Sequence, residues 1–422
     1  MMLQNIDVLR TVLSSEHSKA SSVDSTLRCA SFRIAVHSQD TGANRFNPFL
    51  FHLVLILTPQ PKITMKIAAV HIHKKNLELV RPYTIAYKTV TSVENVIVQL
   101  VLSGGIVGYG AANPSKPVVG VSVDDSFHTL QQDDFSWLLG RDIREYRQLC
   151  HEVRLRYAAD VGAVTALDIA LHDAFTKYLD IPLVKFLGQK IQALPTSITI
   201  GIKGVEETLL EAEEYLARHF QILKVKIGRS LEEDVERLFK LRERFGHRVR
   251  LRVDANQGYD TETLKKFVGL TSQLELELIE QPLPASAIED MKSLPDSIKS
   301  VLAADESLLT TADALTLLLP PKACAIFNIK LMKCGGITGA CEIATLAELA
   351  HLNLMWGCND ESAISIAAAL HTAFAYKATK YLDLDGSLDL ARDVVSGGFE
   401  LKDGLMRPLE RAGLGIEAHL ES

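Results

Sequence analysis

Short apolar runs alternate with helix-like stretches along the second half of the chain. Eight such runs, rich in β-branched and aliphatic residues, lie at residues 197–200, 223–227, 249–253, 276–279, 301–304, 325–329, 352–356 and 381–384. The stretches between them, such as 205–219 and 231–245, carry apolar residues at helical spacing. Strands that alternate with helices favour a parallel sheet, and eight of them are enough to close a barrel. The sequence therefore predicts a barrel over residues 193–386.

A different pattern precedes and follows the predicted barrel. Residues 66–72 and 95–101 are typical of strands, with a hairpin at Ser103-Gly104-Gly105, whereas helical spacing begins after Pro117. Residues 65–192 are therefore predicted to form a small α+β domain. Residues 387–422 are rich in turn-forming residues and are predicted to fold back over the molecule.

The first 64 residues are rich in serine and threonine, show no clear period, and end just before Met65. We expect translation of the native protein to start at Met65, with residues 1–64 a disordered leader or one that the native protein lacks. A transit peptide is the alternative, which the basic residues of this stretch favour and acidic residues such as Asp7 and Glu16 oppose.

Composition narrows the class of partner. The chain has 422 residues, a formal net charge of −7 and no basic stripe, which argues against nucleic acid or an anionic membrane as a partner. Its longest apolar stretch, 49–57, is too short to span a bilayer. The six cysteines form no C-x-x-C pair, which favours reduced thiols and a cytoplasmic location. We therefore expect a small-molecule ligand.

Polar residues end the apolar runs at a repeating step of 23 to 30 positions. These residues are Lys226, Asp254, Glu280, Asp305, Lys330, Asp360 and Asp383. The carboxyl ends of barrel strands converge on one face, so we expect these side chains to surround one cavity.

Three of these residues are carboxylates on adjacent predicted strands. Buried like charges so close together are unfavourable unless a cation neutralises them, and an all-oxygen set suits Mg²⁺. Asp254, Glu280 and Asp305 are therefore the predicted ligands of a magnesium ion. The alternative is that each is an ordinary loop residue or helix N-cap.

Two lysines are predicted to act as acid and base. Lys224 and Lys226 lie two apart on one strand face, so repulsion from Lys224 is expected to lower the pKa of Lys226 and make it a base. Lys330 ends the sixth strand, across the barrel. One lysine could remove an α-proton and the other return a proton to the opposite face while the metal stabilises an enediolate. This predicts racemisation or epimerisation; Lys333 is interpreted as a loop or helix-start residue.

Five motifs carry a family resemblance. They are Lys224-Val225-Lys226, Asp254-Ala255-Asn256-Gln257-Gly258, Glu280-Gln281-Pro282, Ala304-Asp305-Glu306-Ser307 and Asn328-Ile329-Lys330-Leu331-Met332-Lys333. Together they resemble the muconate-lactonising branch of the enolase superfamily, over residues 65–417. The resemblance implies an α/β fold, a modified (β/α)7β TIM-like barrel with an α+β capping domain that residues 387–422 complete. It also implies one Mg²⁺ per subunit, Asn256 and Glu306 as supports of the ligands, and a homo-oligomer as an option.

Asp383-Leu384-Asp385, at the end of the eighth strand, resembles the signature of dipeptide epimerases, which include the L-Ala-D/L-Glu enzymes. Two carboxylates on one strand face could hold the α-ammonium of a dipeptide, which would place the α-carbon of its C-terminal residue between the lysines. The alternative is a pair of ordinary turn residues. Lys224, Thr199, Lys88 and Asp360 complete the predicted substrate contacts.

The preferred side chains of the dipeptide stay open. An arginine near Lys88 would be expected in an Ala-Glu enzyme, and the segment 81–88 instead reads RPYTIAYK, which makes a glutamate substrate doubtful. Asp360 favours a cationic or polar dipeptide, unless it caps the following helix. Tyr83 and Tyr87 leave a hydrophobic dipeptide open.

Two other functions compete with epimerisation. One is an o-succinylbenzoate synthase or cycloisomerase of the same superfamily, since a fold and a metal site do not decide the reaction. Asp383 and Asp385 argue against it. The other is a non-catalytic barrel, against which the intact lysines and carboxylates argue.

Overall fold

The computed structural model describes residues 65–85 and 88–420. The predictions for residues 1–64 and Tyr87 lie outside the described residues, as do the side chains of Tyr83 and Lys88. Within the described ranges, every helix is too short or too polar to cross a bilayer.

An antiparallel sheet and five helices open the described chain. The strands are β1 (Ile67–Ile85), β2 (Lys88–Leu102) and β3 (Val107–Ala112), and the helices are α1 (Lys116–Val119), α2 (Val123–Gln131), α3 (Tyr146–Arg156), α4 (Val161–Tyr178) and α5 (Leu183–Leu187). Helix α4 packs directly on β3. The approach is so close that a Cβ at Gly110 would lie 1.9 Å from the carbonyl oxygen of Ala166. The α4 backbone approaches this strand so closely because the strand carries glycine there.

Strands and helices then alternate to the end of the barrel. In chain order they are β4 (Leu194–Pro195), β5 (Ile198–Ile200), α6 (Val205–Ala217), β6 (Ile222–Lys226), α7 (Leu231–Phe245), β7 (Arg250–Asp254), α8 (Thr261–Thr271), β8 (Leu276–Glu280), α9 (Ile288–Ser293), α10 (Asp296–Lys299), β9 (Leu302–Ala304), α11 (Thr311–Leu318), β10 (Ile326–Ile329), α12 (Leu331–Cys334), α13 (Gly336–Leu349), β11 (Asn353–Trp356), α14 (Ala363–Ala373) and β12 (Thr379–Leu382).

Strands β5 to β12 form one parallel sheet in sequential order. The sheet closes, because Thr196 pairs in parallel with Leu382 and the amide of Ser197 donates to the carbonyl of Leu382 at 3.0 Å. Helices follow the first seven strands, whereas strands follow the eighth. The predicted (β/α)7β barrel with an additional α+β part is confirmed.

The chain after the barrel forms four short strands, β13 (Val395–Gly397), β14 (Phe399–Lys402), β15 (Leu405–Pro408) and β16 (Ile416–Ala418). Strand β15 pairs with β4, immediately before the barrel. Leu390 pairs with Leu79 of β1, and the amide of Val80 donates to the carbonyl of Asp389 at 2.8 Å. The C-terminal segment therefore contacts the N-terminal sheet; the domain limits at residues 192 and 386 stay predictions.

Candidate active site

Strand register brings the predicted residues to one end of the barrel. Lys226 pairs with Asp254, and Asp254 pairs with Glu280, across β6, β7 and β8. Asp305 follows β9 directly, and Lys330 follows β10. Parallel strands place their carboxyl ends at one edge, so these five side chains share the mouth of the barrel.

The three predicted ligands are buried carboxylates. Burial raises the pKa of Glu280 to about 8, and the charges of Asp254 and Asp305 add to the effect. Burial also opposes ionisation of Asp254, but Lys224 and Lys226 hold the pKa of that carboxyl well below its usual range. The three buried carboxylates therefore favour the binding of a cation.

A hard divalent cation fits this cluster of carboxylates. The Oε2 atom of Glu280 is buried and has no hydrogen bond within the described residues. It forms an ion pair with Nζ of Lys224 at 2.8 Å. A buried carboxylate oxygen without a hydrogen bond, beside two further carboxylates, fits the all-oxygen coordination that Mg²⁺ prefers.

Lys226 and Lys224 share one acceptor. Nζ of Lys226 lies 2.6 Å from Oδ2 of Asp254 and 2.8 Å from Oδ1 of Asn256. Nζ of Lys224 lies 3.0 Å from the same Asp254 oxygen and 2.7 Å from Oδ2 of Asp383. The two ammonium groups are therefore crowded together, as predicted. That Lys224 makes Lys226 the base stays a prediction.

Lys224 is a buried cation among carboxylates. Burial acts to lower its pKa, but Asp254, Asp383 and Glu280 outweigh burial, and the pKa of Lys224 is raised well above its ordinary value. The side chain thus links the predicted metal ligands to the predicted substrate clamp.

Lys330 lies across the barrel from Lys226. Their strands, β10 and β6, are four positions apart in a closed ring of eight, which makes them opposite. Nζ of Lys330 donates to Oδ2 of Asp305 at 2.8 Å. Burial opposes protonation of Lys330, but Asp305 and Glu280 raise its pKa above the ordinary lysine value.

Lys333 has a role that sequence reasoning missed. It lies in helix α12, as expected of a helix-start residue, but its buried ammonium donates to the carboxylate of Asp305. It also donates to the carbonyl of Asp305 at 2.6 Å and to that of Asn328 at 3.2 Å. Its spacing of three from Lys330, one helical turn, was the available signal.

Two amide side chains were also overlooked, although they lie inside the quoted motifs. Nδ2 of Asn328 donates to Oε1 of Glu280 at 2.8 Å. Oε1 of Gln281 accepts from the amide of Asp305 at 2.9 Å. Each orients a predicted ligand through a hydrogen bond.

Asn256 and Glu306 lie beside the ligands. The amide of Asn256 donates to Oδ1 of Asp254 at 3.0 Å, and its Nδ2 donates to Oε1 of Glu306 at 3.2 Å. Burial, followed by the charges of Asp305 and Asp254, raises the pKa of Glu306. Asn256 connects Glu306 to both Asp254 and Lys226.

Asp383 and Asp385 are buried at the end of β12. Oδ1 of Asp383 accepts from Oγ of Ser197 at 2.7 Å, and Oδ2 of Asp385 accepts from the backbone amide of Thr199 at 2.8 Å. Burial raises the pKa of Asp385 to about 7, and Asp383 and Asp389 contribute. Their burial argues against ordinary turn residues. Thr199, a predicted substrate contact, bonds Asp385 through its backbone amide.

Asp360 lies half-buried in the loop after β11. The proposed alternative, that it caps the following helix, is wrong. Ser362 is the N-cap of α14, because its side chain accepts from the amide of Ile364 at 3.3 Å. That Asp360 contacts the substrate stays a prediction.

A second group of metal-ligating side chains lies between α3 and α4, where Cys150, Asp168 and His172 are buried together. Nδ1 of His172 lies 2.8 Å from the carbonyl oxygen of Asp168, and the Asp168 carboxylate accepts from the amide of Thr338 at 3.1 Å. These groups have protein partners, and the contact with Thr338 ties α4 to α13.

A closed barrel with an acidic cluster between two opposed lysines defines an enzyme of the enolase type. Family models match residues 67–188, as the N-terminal domain of the mandelate racemase and muconate lactonizing enzymes, and residues 207–422, as an enolase C-terminal domain-like region. The chain belongs to this family of the enolase superfamily, which confirms the predicted resemblance.

Several relatives of this chain are dipeptide epimerases. The L-Lys-D/L-Arg epimerase of Methylococcus capsulatus is 51% identical over 352 residues, which cover 83% of this chain and 99% of that protein. The L-Ala-D/L-Glu epimerase of Bacillus subtilis is 32% identical over 358 residues, which cover 83% of this chain and 97% of that protein.

A solved structure supports the same comparison. The dipeptide epimerase from Methylococcus capsulatus, complexed with Mg and the dipeptide L-Arg-D-Lys, superposes with a TM-score of 0.82 at 51% identity. The match covers 83% of this chain and 99% of that chain.

Proposed function

We propose that this protein is a Mg²⁺-dependent dipeptide epimerase, an isomerase that inverts the α-carbon of the C-terminal residue of a dipeptide by 1,1-proton transfer. The observation that carries the proposal is the placement of Lys226 and Lys330 on opposite strands, with the carboxylate cluster between them. A proton can then leave one face of an α-carbon while another arrives at the opposite face.

Asp254, Glu280 and Asp305 are the residues that would hold the metal. When bound, Mg²⁺ supplies positive charge that stabilises the negative charge developing on the substrate carboxylate. Asn328 and Gln281 orient Glu280 and Asp305 through the hydrogen bonds described above.

The lysines carry the proton transfers. Nζ of one lysine removes the α-proton, and Nζ of the other delivers a proton from the opposite side, so the roles exchange in the reverse direction. Asp254 and Asn256 aim the ammonium of Lys226, and Asp305 aims that of Lys330.

Asp383 and Asp385 select a dipeptide over other carbon acids. Their carboxylates lie at the end of β12, where they can bind the α-ammonium of the N-terminal residue. Ser197 and Lys224 hold Asp383 in place. A dehydratase or cycloisomerase substrate without an ammonium group would not use this pair.

The side chains of the dipeptide are proposed to be cationic. The relative with 51% identity is an L-Lys-D/L-Arg epimerase. Asp360 adds an acidic side chain at the barrel mouth, and a carboxylate there attracts ammonium and guanidinium groups. This narrows the choices that the sequence leaves open.

Deuterium uptake tests the proposal. Purified protein in deuterated water with Mg²⁺ is expected to exchange and invert the C-terminal residue of L-Lys-L-Arg and L-Arg-L-Lys, measured by mass spectrometry and chiral chromatography. EDTA should abolish both signals, and Mg²⁺ should restore them.

Two comparisons sharpen this test. L-Ala-L-Glu and L-Leu-L-Tyr are expected to react more slowly than the Lys/Arg dipeptides. Asp360→Asn should reduce this difference in rate. Faster turnover of L-Ala-L-Glu than of the Lys/Arg dipeptides would contradict the proposed preference for cationic side chains. It would not contradict epimerisation. Loss of water from a cyclohexadiene acid, without exchange of any dipeptide, would contradict epimerisation.

Location, partners and assembly are proposed as well. The five described cysteines are free, which supports a reducing cytoplasm, to be tested by cell fractionation. The net charge of −7 supports the absence of a nucleic-acid partner. A homo-oligomer stays a prediction, which light scattering would decide.

A further inference from the structure

A buried ion pair lies behind the strand end that carries Lys226. Arg237 and Asp234 lie three residues apart on α7, and their side chains are 2% and 1% exposed. They pair with each other through Nη2 of Arg237 and Oδ1 of Asp234. Burying two charges costs free energy that mutual attraction repays only with good geometry and further hydrogen bonds.

The pair is bonded to the turn between β6 and α7. Nη2 of Arg237 donates to the carbonyl of Lys226 at 3.0 Å. Oδ2 of Asp234 accepts from the amide of Gly228 at 2.8 Å. The pair therefore satisfies one backbone carbonyl and one backbone amide, on the two sides of residue 227.

The same pair reaches the neighbouring strand end. The hydroxyl of Tyr259 donates to Oδ2 of Asp234 at 2.8 Å. Gly228 has φ of +106°, and a Cβ there would lie 2.5 Å from the carbonyl oxygen of Ala255. The Lys226 turn is thus packed against the segment 254–259, which supplies both side-chain partners of the Lys226 ammonium.

Lys330 is held differently. Its carbonyl accepts from the amide of Lys333 at 3.0 Å and from Sγ of Cys334 at 3.3 Å, both within the next helical turn. The Lys226 carbonyl instead accepts from a side chain eleven residues away. A change at Arg237 should therefore disturb one lysine and spare the other.

We propose that Arg237, paired with Asp234, is a positioning residue for Lys226 that sets the reach of its ammonium toward the substrate α-carbon. The inference rests on the proposed function. Misplacing a reacting group by about 1 Å can cost on the order of 100-fold in rate. Loss of the Arg237 contact should therefore slow proton transfer at the Lys226 face.

Solvent exchange measured separately for the two epimers tests the proposal. Each epimer presents its α-proton to one lysine, and single-lysine variants assign which epimer faces Lys226. In R237M, exchange of that epimer is expected to fall roughly 10- to 100-fold. Exchange of the other epimer should fall at most a few-fold, with Mg²⁺ affinity and KM little changed.

Matched variants separate positioning from folding. R242M removes another arginine of α7, whose Nη1 bonds the carbonyls of Gly246 and Val249, and it should leave the ratio of the two exchange rates unchanged. R237K keeps the positive charge and one donor nitrogen. It should recover part of the exchange rate that R237M loses. Y259F removes one bond to Asp234 and should slow the Lys226-facing epimer by about two- to fivefold.

Each outcome is decisive. Equal slowing of both epimers in R237M, or no slowing, overturns the positioning role. If R237M does not fold, Y259F and R237K decide by the same ratio, and an unchanged ratio in both overturns the role. Wild-type protein that exchanges neither epimer contradicts the proposed function as well, whereas exchange of both with an unchanged ratio in the variants contradicts this inference alone.

Discussion

The two halves of the active site hold equivalent lysines by different means. Lys226 is 29% exposed, and its ammonium is shared between Asp254 and Asn256. Lys330 is 12% exposed and bonds Asp305, which Lys333 also holds. A two-base reaction needs its bases on opposite faces, and it does not need them in identical surroundings. Each half should therefore respond to its own substitutions.

The largest expected effects come from the lysines themselves. Lys226→Ala and Lys330→Ala should each lower epimerisation by roughly 10²- to 10⁴-fold, the range for removal of a general acid or base. Each variant should retain solvent exchange of the one epimer whose α-proton faces the remaining lysine, as measured by NMR in deuterated water. Epimerisation at close to the wild-type rate in either variant would contradict the two-base scheme.

Lys333 tests whether the Lys330 half depends on its second lysine. Lys333→Met should misplace Asp305 and weaken Mg²⁺ binding about 10- to 100-fold, as removal of an outer support of a metal ligand does. Isothermal titration with Mg²⁺ measures the change. Lys322→Met is the control, because Lys322 is exposed and donates to the carbonyl of Ala350. Equal affinity in both variants would remove the role assigned to Lys333.

Asp383 tests the link between the Lys226 half and the substrate. Asp383→Asn removes the charge that pairs with Lys224 and, as proposed, with the substrate ammonium. A charge-assisted hydrogen bond contributes about 1.5–3 kcal/mol, so KM should rise at least tenfold. Mg²⁺ affinity should change much less. An unchanged KM would leave the dipeptide clamp without support.

The smallest effect concerns pH. The pKa of Asp385 is raised to about 7, first by burial and then by Asp383 and Asp389. Below that pH the carboxyl becomes neutral and binds an ammonium group more weakly, so KM should rise about threefold or more between pH 7.5 and 6. Asp385→Asn should have a higher KM that no longer changes over this interval. A wild-type KM independent of pH would count against Asp385 as a substrate contact.

Local pattern was enough to predict the architecture. The alternation of apolar runs and helical stretches predicted eight strands, and residues ending those runs proved to lie together at one end of the closed barrel. Asp254, Glu280 and Lys226 were found this way because they are strand-end residues at a regular spacing. The family motifs added Asn256, whose contact with Lys226 the structure describes.

Contacts across the barrel could not be predicted in the same way. Lys333 looked like a helix-start residue, and its spacing from Lys330 alone does not show that its ammonium reaches Asp305. Thr199 was predicted to contact the substrate, and in the structure its backbone amide donates to Asp385. Asp360 was a plausible helix cap until Ser362 was seen to occupy that position.

The sequence by itself determined the order of the strands, the residues at their ends and the family, because side-chain periodicity and short motifs are local properties of the chain. The tertiary structure alone decided which atoms meet. Lys224 contacts Asp383 across 159 positions, and Arg237 contacts the Lys226 carbonyl from the helix that packs beside it. Such contacts depend on the closure of the sheet and the packing of helices on it, which no local pattern specifies.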